Sequence, residues 1–398
     1  MRTHTLMERQ CRECRLSGED VDFLLSAHGT HLRIVPTRRR SLFRVTPTRF
    51  VGVIAAPGCR LLIRPKVPLR ALFHLLDPQA DRAVEAAPFS GEPGVEVLQF
   101  LARRVVALLS ERVASGLHRS YAEKAEEGPF LQGRLDVAAQ LREGAGRRDS
   151  FHCQRDDFTT DVLCNQVPRA TLELLLRTQL ASEPLGEVLR QSLRTLDGIS
   201  SVGLTPEVFA RAVADRSPAD YRPLLDLCRV VAESLQPVLA STPAPGPTFL
   251  LDLERVFERY VTRGIVEAFA GDDRYRVAEQ GRYKVSEPVP GQTEILLGPD
   301  VTIWERETVC CVVDAKWKRL PPEGRLTGDL YQVLAYCAGL GTQRAILVYP
   351  GRRDTCRAYL LRRMGVRVEV RTLRVTVSAE VCRRSLRRLG RLIRRTPC

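Results

Sequence analysis

The apolar residues of the chain change their spacing twice, and each change predicts a different kind of structure. From residue 30 to residue 70 they form short β-branched runs broken by proline and glycine, namely THLRIVPTR, LFRVTPTRFVGVIAAP and CRLLIRPKVP. Such runs are typical of strands. They alternate with arginines and carry few acidic residues. The pattern predicts a small β-rich domain with one basic face.

The middle of the chain has helical spacing. Residues 95–117 predict a helix whose apolar face consists of Val97, Leu101, Val105 and Leu108. The segment GPFLQGRLDV (128–137) predicts a turn into a short strand, and residues 160–240 read as mostly helical. The stretch STPAPGPT (241–248) is rich in proline and small residues, which predicts a hinge or a domain boundary.

After this stretch helices and strands alternate. The predicted order is α-β-β-β-α-β, over residues 249–269, 275–285, 293–304, 308–317, 327–341 and 343–350. A strand pair (356–376) and an arginine-rich helix (378–396) are predicted to close the chain. We therefore expect a mixed α+β fold in three parts. These are a β-rich N-terminal domain (1–94), a mainly helical connector (95–248) and a C-terminal α/β domain with an αβββαβ core (249–398).

Composition narrows the class of protein. No apolar run approaches the roughly 18 residues that span a bilayer, and the first residues lack the apolar core of a signal peptide. We expect a cytoplasmic protein without a membrane partner. The net charge of +14, from 61 Lys and Arg against 47 Asp and Glu, favours a polyanionic partner, with nucleic acid first. A genome that favours arginine codons would give the same excess.

Two familiar kinds of site find little support. Cys11 and Cys14 form a C-x-x-C pair, but no second pair follows at the spacing of a zinc finger, so their role stays open. No G-x-x-x-x-G-K-[ST] phosphate loop occurs in the sequence. Work driven by a nucleotide would therefore have to come from a partner.

The chemistry that the sequence does support lies in PDVTIWERETVCCVVDAKWK, residues 299–318. Asp300 follows Pro299 within one strand-like run, and Asp314 ends the next, an apolar run where an unpaired charge would be costly. If the two strands pair through the short ERET turn, both carboxylates reach one point. Lys316 lies two residues beyond Asp314 and so points to the same face of an extended chain.

These groups suit a divalent metal. Asp300, Asp314 and the backbone carbonyl of Ala315 make an all-oxygen site for Mg²⁺, or for Mn²⁺ in its place. Glu258, on the preceding helix, could add a carboxylate directly or through water. Lys316 would act on the attacking water as a base or stabilise developing phosphate charge; the sequence leaves both roles open.

Gln332 and Tyr336 lie at i and i+4 on the following helix and so share one face. They could orient Lys316 or touch the phosphate backbone. Each residue also has an ordinary explanation, because D-x-K tripeptides are common and Glu258 could be a solvated helix charge. The catalytic interpretation rests on the whole set in the right element order.

The arrangement Pro299-Asp300 with Asp314-Ala315-Lys316 resembles the PD-(D/E)xK nuclease superfamily. More closely, the chain resembles the McrC family, the nuclease subunit of McrBC-type modification-dependent restriction systems. The resemblance runs from about residue 50 to residue 350. It is carried by VGVI, LLIRPKVP, SGLHRSY, LQGRLDV, DDFTTDVLCNQVPRATL, RVFERYV, PDVTIW, CCVVDAKWK, DLYQVLAYC and AILVYP. Trp317 departs from it, since the family's motif there is D-A-K-Y-K.

The resemblance implies a metal-dependent DNA endonuclease with Asp300, Asp314, Lys316, Glu258 and Gln332 in its site. It also implies a separate McrB-like AAA+ GTPase ring, which recognises modified DNA, takes up all of the GTP and receives the N-terminal part of this chain. Residues before the hinge would then dock, and residues after it would cut. Two alternatives stay open. One is a stand-alone repair or recombination nuclease of the same superfamily, and the other is a regulatory subunit that activates an AAA+ motor while its nuclease site is idle.

Overall fold

The fold was taken from a computed structural model of the chain. It describes all residues except 78–93, 144–149, 179, 181, 215–218, 240–245, 247, 288–292, 321–325 and 396–398. The chain forms two compact units. The composite unit joins Met1–Val97 to Leu250–Cys398, and the middle unit is Leu98–Phe249. The middle unit nearly coincides with the predicted connector, whereas the predicted N-terminal and C-terminal domains share one unit. Most of the predicted hinge at 241–248 lies outside the described residues.

The described residues of the first part of the composite unit form six strands and two helices. These are β1 (Arg2–Met7), β2 (Arg12–Arg15), α1 (Gly18–His28), β3 (Leu32–Pro36), β4 (Leu42–Pro47), β5 (Phe50–Ala55), β6 (Cys59–Arg64) and α2 (Leu69–Leu76). Strands β2, β4 and β3 form a small sheet in that order. The second sheet has the order β1-β6-β5-β10, in which β10 (Phe249–Asp252) comes from the far side of the predicted hinge. Five of the six residues of β5 are buried, as expected of a strand flanked on both sides.

The second part of the composite unit is built on a six-stranded sheet in the order β11-β14-β15-β16-β18-β17. Its strands are β11 (Tyr275–Glu279), β14 (Val301–Glu305), β15 (Thr308–Ala315), β16 (Arg344–Gly351), β17 (Thr355–Leu361) and β18 (Val366–Arg374). Its helices are α9 (Leu253–Phe269), α10 (Thr327–Leu340) and α11 (Ala379–Arg395). A hairpin of β12 (Tyr283–Lys284) and β13 (Leu296–Leu297) interrupts the chain between β11 and β14.

The six-stranded sheet is covered on both faces. Val312 and Leu347 pack with Val333 of α10 in one apolar core. Cys311, the next residue along β15, faces the other side, where it lines a small cavity with Ile393 of α11. This alternation follows from the two-residue period of a strand. It explains why β15 and β16 are apolar almost throughout, since each buries both of its faces.

The middle unit contains five helices, most of α3 and a three-stranded sheet in the order β7-β9-β8. Its elements are α3 (Val95–Ala114), β7 (Ser120–Gly128), β8 (Arg134–Leu135), α4 (Val137–Glu143), β9 (Phe151–Thr159), α5 (Leu163–Arg177), α6 (Glu183–Arg194), α7 (Pro206–Ala214) and α8 (Arg222–Leu239). A buried amide ties the sheet to the helices. The Asn165 side chain donates to the carbonyls of His118 and Thr160 and accepts from the Tyr221 hydroxyl.

The predicted elements differ from the observed ones mainly near the N-terminus. Strands β1 and β2 and helices α1 and α2 had not been predicted, and the β7–β9 pair replaces the single short strand expected there. Over the described residues, no helix is long and apolar enough to cross a membrane.

Candidate active site

The predicted acidic residues lie on a hairpin formed by β14 and β15. Its turn consists of two residues, Arg306 and Glu307, and Arg306 adopts the left-handed conformation with φ 55°. The register then shifts between Ile303 and Trp304, because Cys310 is an extra residue in β15. This β-bulge changes which residues of the two strands face each other.

The bulge brings the two aspartates together. Beyond it Val301 pairs with Val313, so the same register places Asp300 across from Asp314. Without the extra residue Asp300 would face Val313, whose side chain points to the opposite side of the sheet. The backbone N–H of Ala315 donates to Oδ2 of Asp300 at 2.7 Å. Asp314 is 2% exposed. The predicted pair therefore meets at the end of β15.

Lys316 reaches the same point. Its backbone N–H donates to the carbonyl of Val348 at 2.8 Å, which holds the residue beside β16 after β15 has ended. Its ammonium lies 2.5 Å from Oδ2 of Asp314 and donates to Oε1 of Gln332 at 2.8 Å. One lysine thus joins the strand carboxylate to helix α10.

Gln332 and Tyr336 continue this chain of hydrogen bonds. The Gln332 amide donates to the Tyr336 hydroxyl at 2.6 Å, and that hydroxyl donates to the carbonyl of Gly298 at 3.2 Å. The path leads from Asp314 back to the residue that precedes Pro299 and Asp300. A connected network of this kind restricts each of its members to one rotamer.

Burial and repulsion between acids dominate the electrostatics. Burial raises the pKa of Asp300, and the charges of Asp314 and Glu258 raise it further. Burial likewise raises the pKa of Asp314, against the opposing effect of Lys316. The pKa of Lys316 is raised by its carboxylate neighbours, although burial acts in the other direction. The ionised carboxylates are therefore destabilised at this site, and an added cation would stabilise them.

Glu258 lies on α9 and takes part in this field. Burial raises its pKa to about 7, followed by the charges of Glu254, Asp252 and Asp314. Lys316 lowers it. The structure thus places Glu258 within electrostatic range of the aspartates, on a helix that packs against β15.

Asp329 was missed from the sequence. It is a buried residue in the first turn of α10, and its carboxylate accepts from the Tyr349 hydroxyl at 2.5 Å and from the Lys318 ammonium at 2.7 Å. Its charge also raises the pKa of both Asp314 and Lys316. The second lysine of DAKWK gave the only signal, since a buried acid is the usual partner of a lysine beside a core strand.

Metal-binding clusters are not preformed. In the part of the chain that the structure describes, no group of three or more His, Cys, Asp or Glu side chains is placed to hold a metal ion. Cys11 is exposed and Cys14 is buried, so the two thiols of the C-x-x-C face different surroundings. Asp300 and Asp314 supply two acidic side chains that lie across from each other on the paired strands.

The same segments that build this site match a known family. The profile of the family described as McrBC 5-methylcytosine restriction system component matches residues 45–350. The chain belongs to this McrBC component family. The match takes in the β14–β15 hairpin, α10 and β16, and it also covers Asn165 and the other residues that tie the middle sheet to its helices. The family resemblance expected from the sequence is thereby confirmed.

One curated relative of this McrBC component is the type IV methyl-directed restriction enzyme EcoKMcrBC of Escherichia coli strain K12. The two are 23% identical over 186 residues, which is 44% of this chain and 51% of that enzyme. The chain therefore matches about half the length of that relative.

Solved structures give weaker likenesses. A half-complex of Thermococcus gammatolerans McrB AAA+ hexamers with bound McrC is similar over 97% of this chain and 100% of the matched chain, with 17% identity and a TM-score of 0.49. The Thermococcus gammatolerans McrBC complex is similar over 67% of this chain and 88% of the matched chain, with 21% identity and a TM-score of 0.43. Neither likeness is close enough to decide the fold or the function.

Proposed function

We propose that this McrBC component is a metal-dependent DNA endonuclease of the PD-(D/E)xK type. It would be the cutting subunit of a restriction complex that acts in the cytoplasm on modified foreign DNA, for example DNA that contains methylcytosine. The observation that carries the proposal is the meeting of Asp300, Asp314 and Lys316 at one strand end, with the lysine held by Gln332. A purely structural role would not require the buried Asp314 to face the partly buried Asp300 at a cost in solvation.

The donor set fits Mg²⁺. This ion usually keeps several waters and takes only one or two protein carboxylates, with substrate phosphates filling the other positions. Two facing aspartates therefore suffice, and a third acidic ligand is not required. In addition, Oδ2 of Asp314 is buried without a hydrogen bond of acceptable geometry, although the Lys316 ammonium is close to it. Asp300, Asp314 and the carbonyl of Ala315 would hold the ion, with Glu258 reaching it directly or through water.

The protein groups have separate tasks in phosphodiester hydrolysis. A bound Mg²⁺ would lower the pKa of a coordinated water molecule and polarise the phosphate. Lys316 carries a positive charge beside that position, where it can orient the attacking water or stabilise the charge that develops on the phosphate. Gln332 fixes the ammonium group, and Tyr336 fixes Gln332. The raised pKa of Lys316 favours its charged form, and so favours charge stabilisation over the role of a base.

A nucleotide-driven partner is part of the proposal. The family is described as a component of a system, and the sequence has no phosphate loop of its own. GTP would therefore act through a McrB-like AAA+ ring. The middle unit offers a surface for such a ring, because its small sheet, the turn after β7 and helix α4 expose large apolar side chains. These are Tyr121, Phe130, Leu131, Val137, Leu141 and Phe158.

Two of these side chains form a pair. Tyr121 and Phe158 face each other across β7 and β9, with ring centroids 5.1 Å apart, and they are 72% and 57% exposed. Exposed aromatic pairs that project from a small sheet are typical of protein interfaces. We therefore place the contact with the ring on this face.

The test is copurification with a McrB-like AAA+ GTPase expressed together with this chain, followed by cleavage of methylated and unmethylated DNA with GTP and Mg²⁺. We expect GTP-dependent cleavage of the methylated DNA. Asp300→Ala should abolish cleavage while keeping stimulation of GTP hydrolysis. A Tyr121→Ser/Phe158→Ser variant should lose that stimulation.

The outcomes separate the alternatives. Cleavage that needs neither partner nor GTP would favour a stand-alone nuclease. Stimulation of the partner without cleavage under any metal would favour a regulatory subunit. Loss of stimulation in a folded Asp300→Ala protein would contradict the separation of docking from cutting.

A further inference from the structure

A buried carboxylate from the N-terminal strand touches the residue next to the catalytic lysine. Glu8 follows the last residue of β1 and is 0% exposed. Its Oε1 accepts a hydrogen bond of 2.9 Å from Nε1 of Trp317. Trp317 is 4% exposed and comes directly after Lys316 in the chain. The contact joins residues 309 positions apart in sequence.

The surroundings of Glu8 leave it little freedom. Its backbone N–H donates to the carbonyl of Arg64 at 2.9 Å, which extends the β1–β6 pairing by one residue. Arg9 then turns the chain with φ 56°, and its N–H donates to the carbonyl of Pro47 at 3.0 Å. Burial raises the pKa of Glu8, and Lys66 and Arg9 oppose that shift, with Nε of Arg9 3.6 Å from Oε1 of Glu8. Both the backbone and the carboxylate of Glu8 are therefore fixed.

The indole ring of Trp317 is fixed on its other side by helix α9. Its ring lies 5.4 Å from that of Phe257, at an angle of 52°. Phe257 is itself 0% exposed and precedes Glu258. A buried indole N–H needs an acceptor, and a buried carboxylate needs donors. Oε1 of Glu8 satisfies the indole N–H, whereas Oε2 is buried without a hydrogen bond, so removing Glu8 leaves the indole N–H without an acceptor.

We propose that Glu8 is a positioning residue of the nuclease site. Through Trp317 it fixes the end of β15, and with it the direction in which Lys316 leaves the strand. The inference rests on the proposed nuclease function. It also gives β1 a role in that function, although the strand lies about 300 residues before the site in sequence.

The physical reason is that phosphoryl chemistry tolerates little displacement of a catalytic group. A shift of about 1 Å in a catalytic group can cost about 10²-fold in rate. Lys316 has no regular strand pairing beyond its own N–H, because β15 ends at Ala315. Trp317, the next residue along the chain, is buried, and its packing therefore determines the position of the Lys316 backbone.

The test compares three substitutions in the full-length protein with its AAA+ partner. Glu8→Leu removes the acceptor, Trp317→Phe removes the donor and keeps the ring, and Glu8→Gln keeps an acceptor oxygen in place. We expect the first two to lower kcat for DNA cleavage about 10-fold or more, with KM within about twofold. Glu8→Gln should restore kcat to within about twofold of wild type. The double variant Glu8→Leu/Trp317→Phe should be no slower than either single variant, because both remove one interaction.

A matched control addresses stability alone. Leu6→Ala lies on the same strand, removes a side chain that is 2% exposed, and destabilises β1 while keeping both partners of the Glu8–Trp317 hydrogen bond. It should leave kcat within about twofold of wild type at a temperature where all variants are folded. An equal loss of kcat in Leu6→Ala and Glu8→Leu would overturn the inference, as would full activity of Glu8→Leu or losses that multiply in the double variant.

A second readout does not depend on cleavage. The chain has two tryptophans, so a Trp304→Phe background leaves Trp317 to excite Tb³⁺ bound in place of Mg²⁺. We expect Glu8→Leu to change the sensitised emission at saturating Tb³⁺ by about twofold or more, and Leu6→Ala to leave it unchanged. Identical emission in all three proteins would overturn the inference. If wild type binds Tb³⁺ but never cleaves DNA, the proposed function fails. The emission then tests by itself whether Glu8 positions the site.

Discussion

At the scale of single residues, the two lysines of DAKWK provide a matched comparison. Lys316 pairs with Asp314 at the candidate site, whereas Lys318 pairs with Asp329 beside it. These two lysines are two positions apart and differ in the carboxylate with which each forms an ion pair. Substitutions at these positions can therefore separate catalysis from local stability.

Asp314→Ala should lower the rate of DNA cleavage by at least about 10³-fold, because it removes a ligand of a metal that contributes several kcal/mol to the barrier. The fold should persist, since the substitution relieves repulsion among buried acids. Lys316→Ala should act similarly without weakening metal binding, and Lys318→Ala should cost less than about tenfold. Single-turnover cleavage with Mg²⁺ measures the rate, and Mg²⁺ titration by calorimetry measures metal binding. Full cleavage by a folded Asp314→Ala protein would contradict the assignment.

His28 gives the composite unit a dependence on pH. It is 2% exposed, and burial lowers its pKa to about 4, with the neighbouring His31 acting in the same direction. His28 therefore takes up a proton near pH 6.5 in the unfolded chain but only near pH 4 in the folded chain. Between pH 6.5 and about pH 4 the free energy of unfolding should fall as pH falls, by about 2 kcal/mol at pH 5.

A His28→Phe variant should remove this part of the acid sensitivity, since phenylalanine does not titrate and keeps the packing against Phe23. Urea unfolding at pH 5 and at pH 8 measures it. The loss of stability between these two pH values should be smaller in the variant than in wild type. Parallel losses would show that His28 is not the titrating group.

At the scale of elements, α9 and α11 approach each other through glycines. A Cβ atom on Gly390 would lie 2.5 Å from Cβ of Ala268 and 2.6 Å from the carbonyl oxygen of Gly264. One on Gly264 would collide with the side chain of Leu386. Backbone that is this close cannot yield without moving a helix, so any side chain at these positions should be destabilising.

Gly390→Ala should therefore lower the free energy of unfolding by about 1–3 kcal/mol. Gly186→Ala in α6 is the control, because its Cβ would meet only the far end of Arg190 at 3.6 Å. That change should be neutral or stabilising by up to about 1 kcal/mol. Thermal or urea unfolding compares them. Equal effects of the two substitutions would mean that helix propensity, and not the α9–α11 contact, governs Gly390.

At the scale of the whole molecule, the composite unit changes how the chain can be divided. A fragment of residues 1–240 would lose β10, the neighbour of β5, and would leave Glu8 without Trp317. The expectation that such a fragment docks by itself therefore conflicts with the packing. A fragment of residues 95–249 follows the middle unit and keeps α3 whole.

We expect the 95–249 fragment to fold and to stimulate the partner's GTP hydrolysis without cutting DNA. Circular dichroism and a GTPase assay measure this, with residues 1–240 as the comparison. A folded, stimulating 1–240 fragment together with an unfolded 95–249 fragment would contradict the division.

The basic charge is also a property of the whole molecule, and it is local. Between residues 344 and 395 there are sixteen arginines and three acidic residues. That excess of thirteen nearly equals the net charge of +14 of the whole chain. On α11 the apolar stripe Cys382, Leu386, Leu389 and Ile393 is buried. The exposed arginines of this helix are Arg384, Arg387, Arg388, Arg391, Arg394 and Arg395, whereas Arg383 is half-buried.

Replacing Arg387, Arg391 and Arg395 with glutamine should flatten the salt dependence of DNA binding, by a slope of about 0.9 for each lost phosphate contact. These three avoid the arginines that pair with acids, such as Arg384 with Glu380 and Arg394 with Asp272. Fluorescence anisotropy across a salt series measures the slope. An unchanged slope would leave the arginines as a solvated helix face.

Much of the C-terminal half could be read from its pattern. Strands β15 and β16 bury both faces, so their apolar runs are continuous, and α11 shows its buried stripe at helical spacing. Asp314, Lys316, Gln332 and Tyr336 share faces by simple periodicity, and the structure brings these four together. The family resemblance rested on these same local segments, and the profile match agrees with it.

Other features depend on contacts that local sequence does not encode. Asp300 lies across from Asp314 only because Cys310 is an extra residue in β15. Such a bulge leaves no periodic signal in the sequence. Asp329 became a candidate only through its contacts with Lys318 and Tyr349. The pairing of β5 with β10 and the bond from Glu8 to Trp317 join segments about 200 and 300 residues apart.

The sequence by itself determined the periodic elements, the candidate residues and the family, because each depends on residues close together along the chain. Only the tertiary structure decided that the first 97 residues share a unit with the last 149. Burial chose that partner: β5 is buried almost throughout, so the backbone N–H and C=O groups of both its edges need a paired strand, and the chain supplies β10 as its second neighbour only after the whole middle unit.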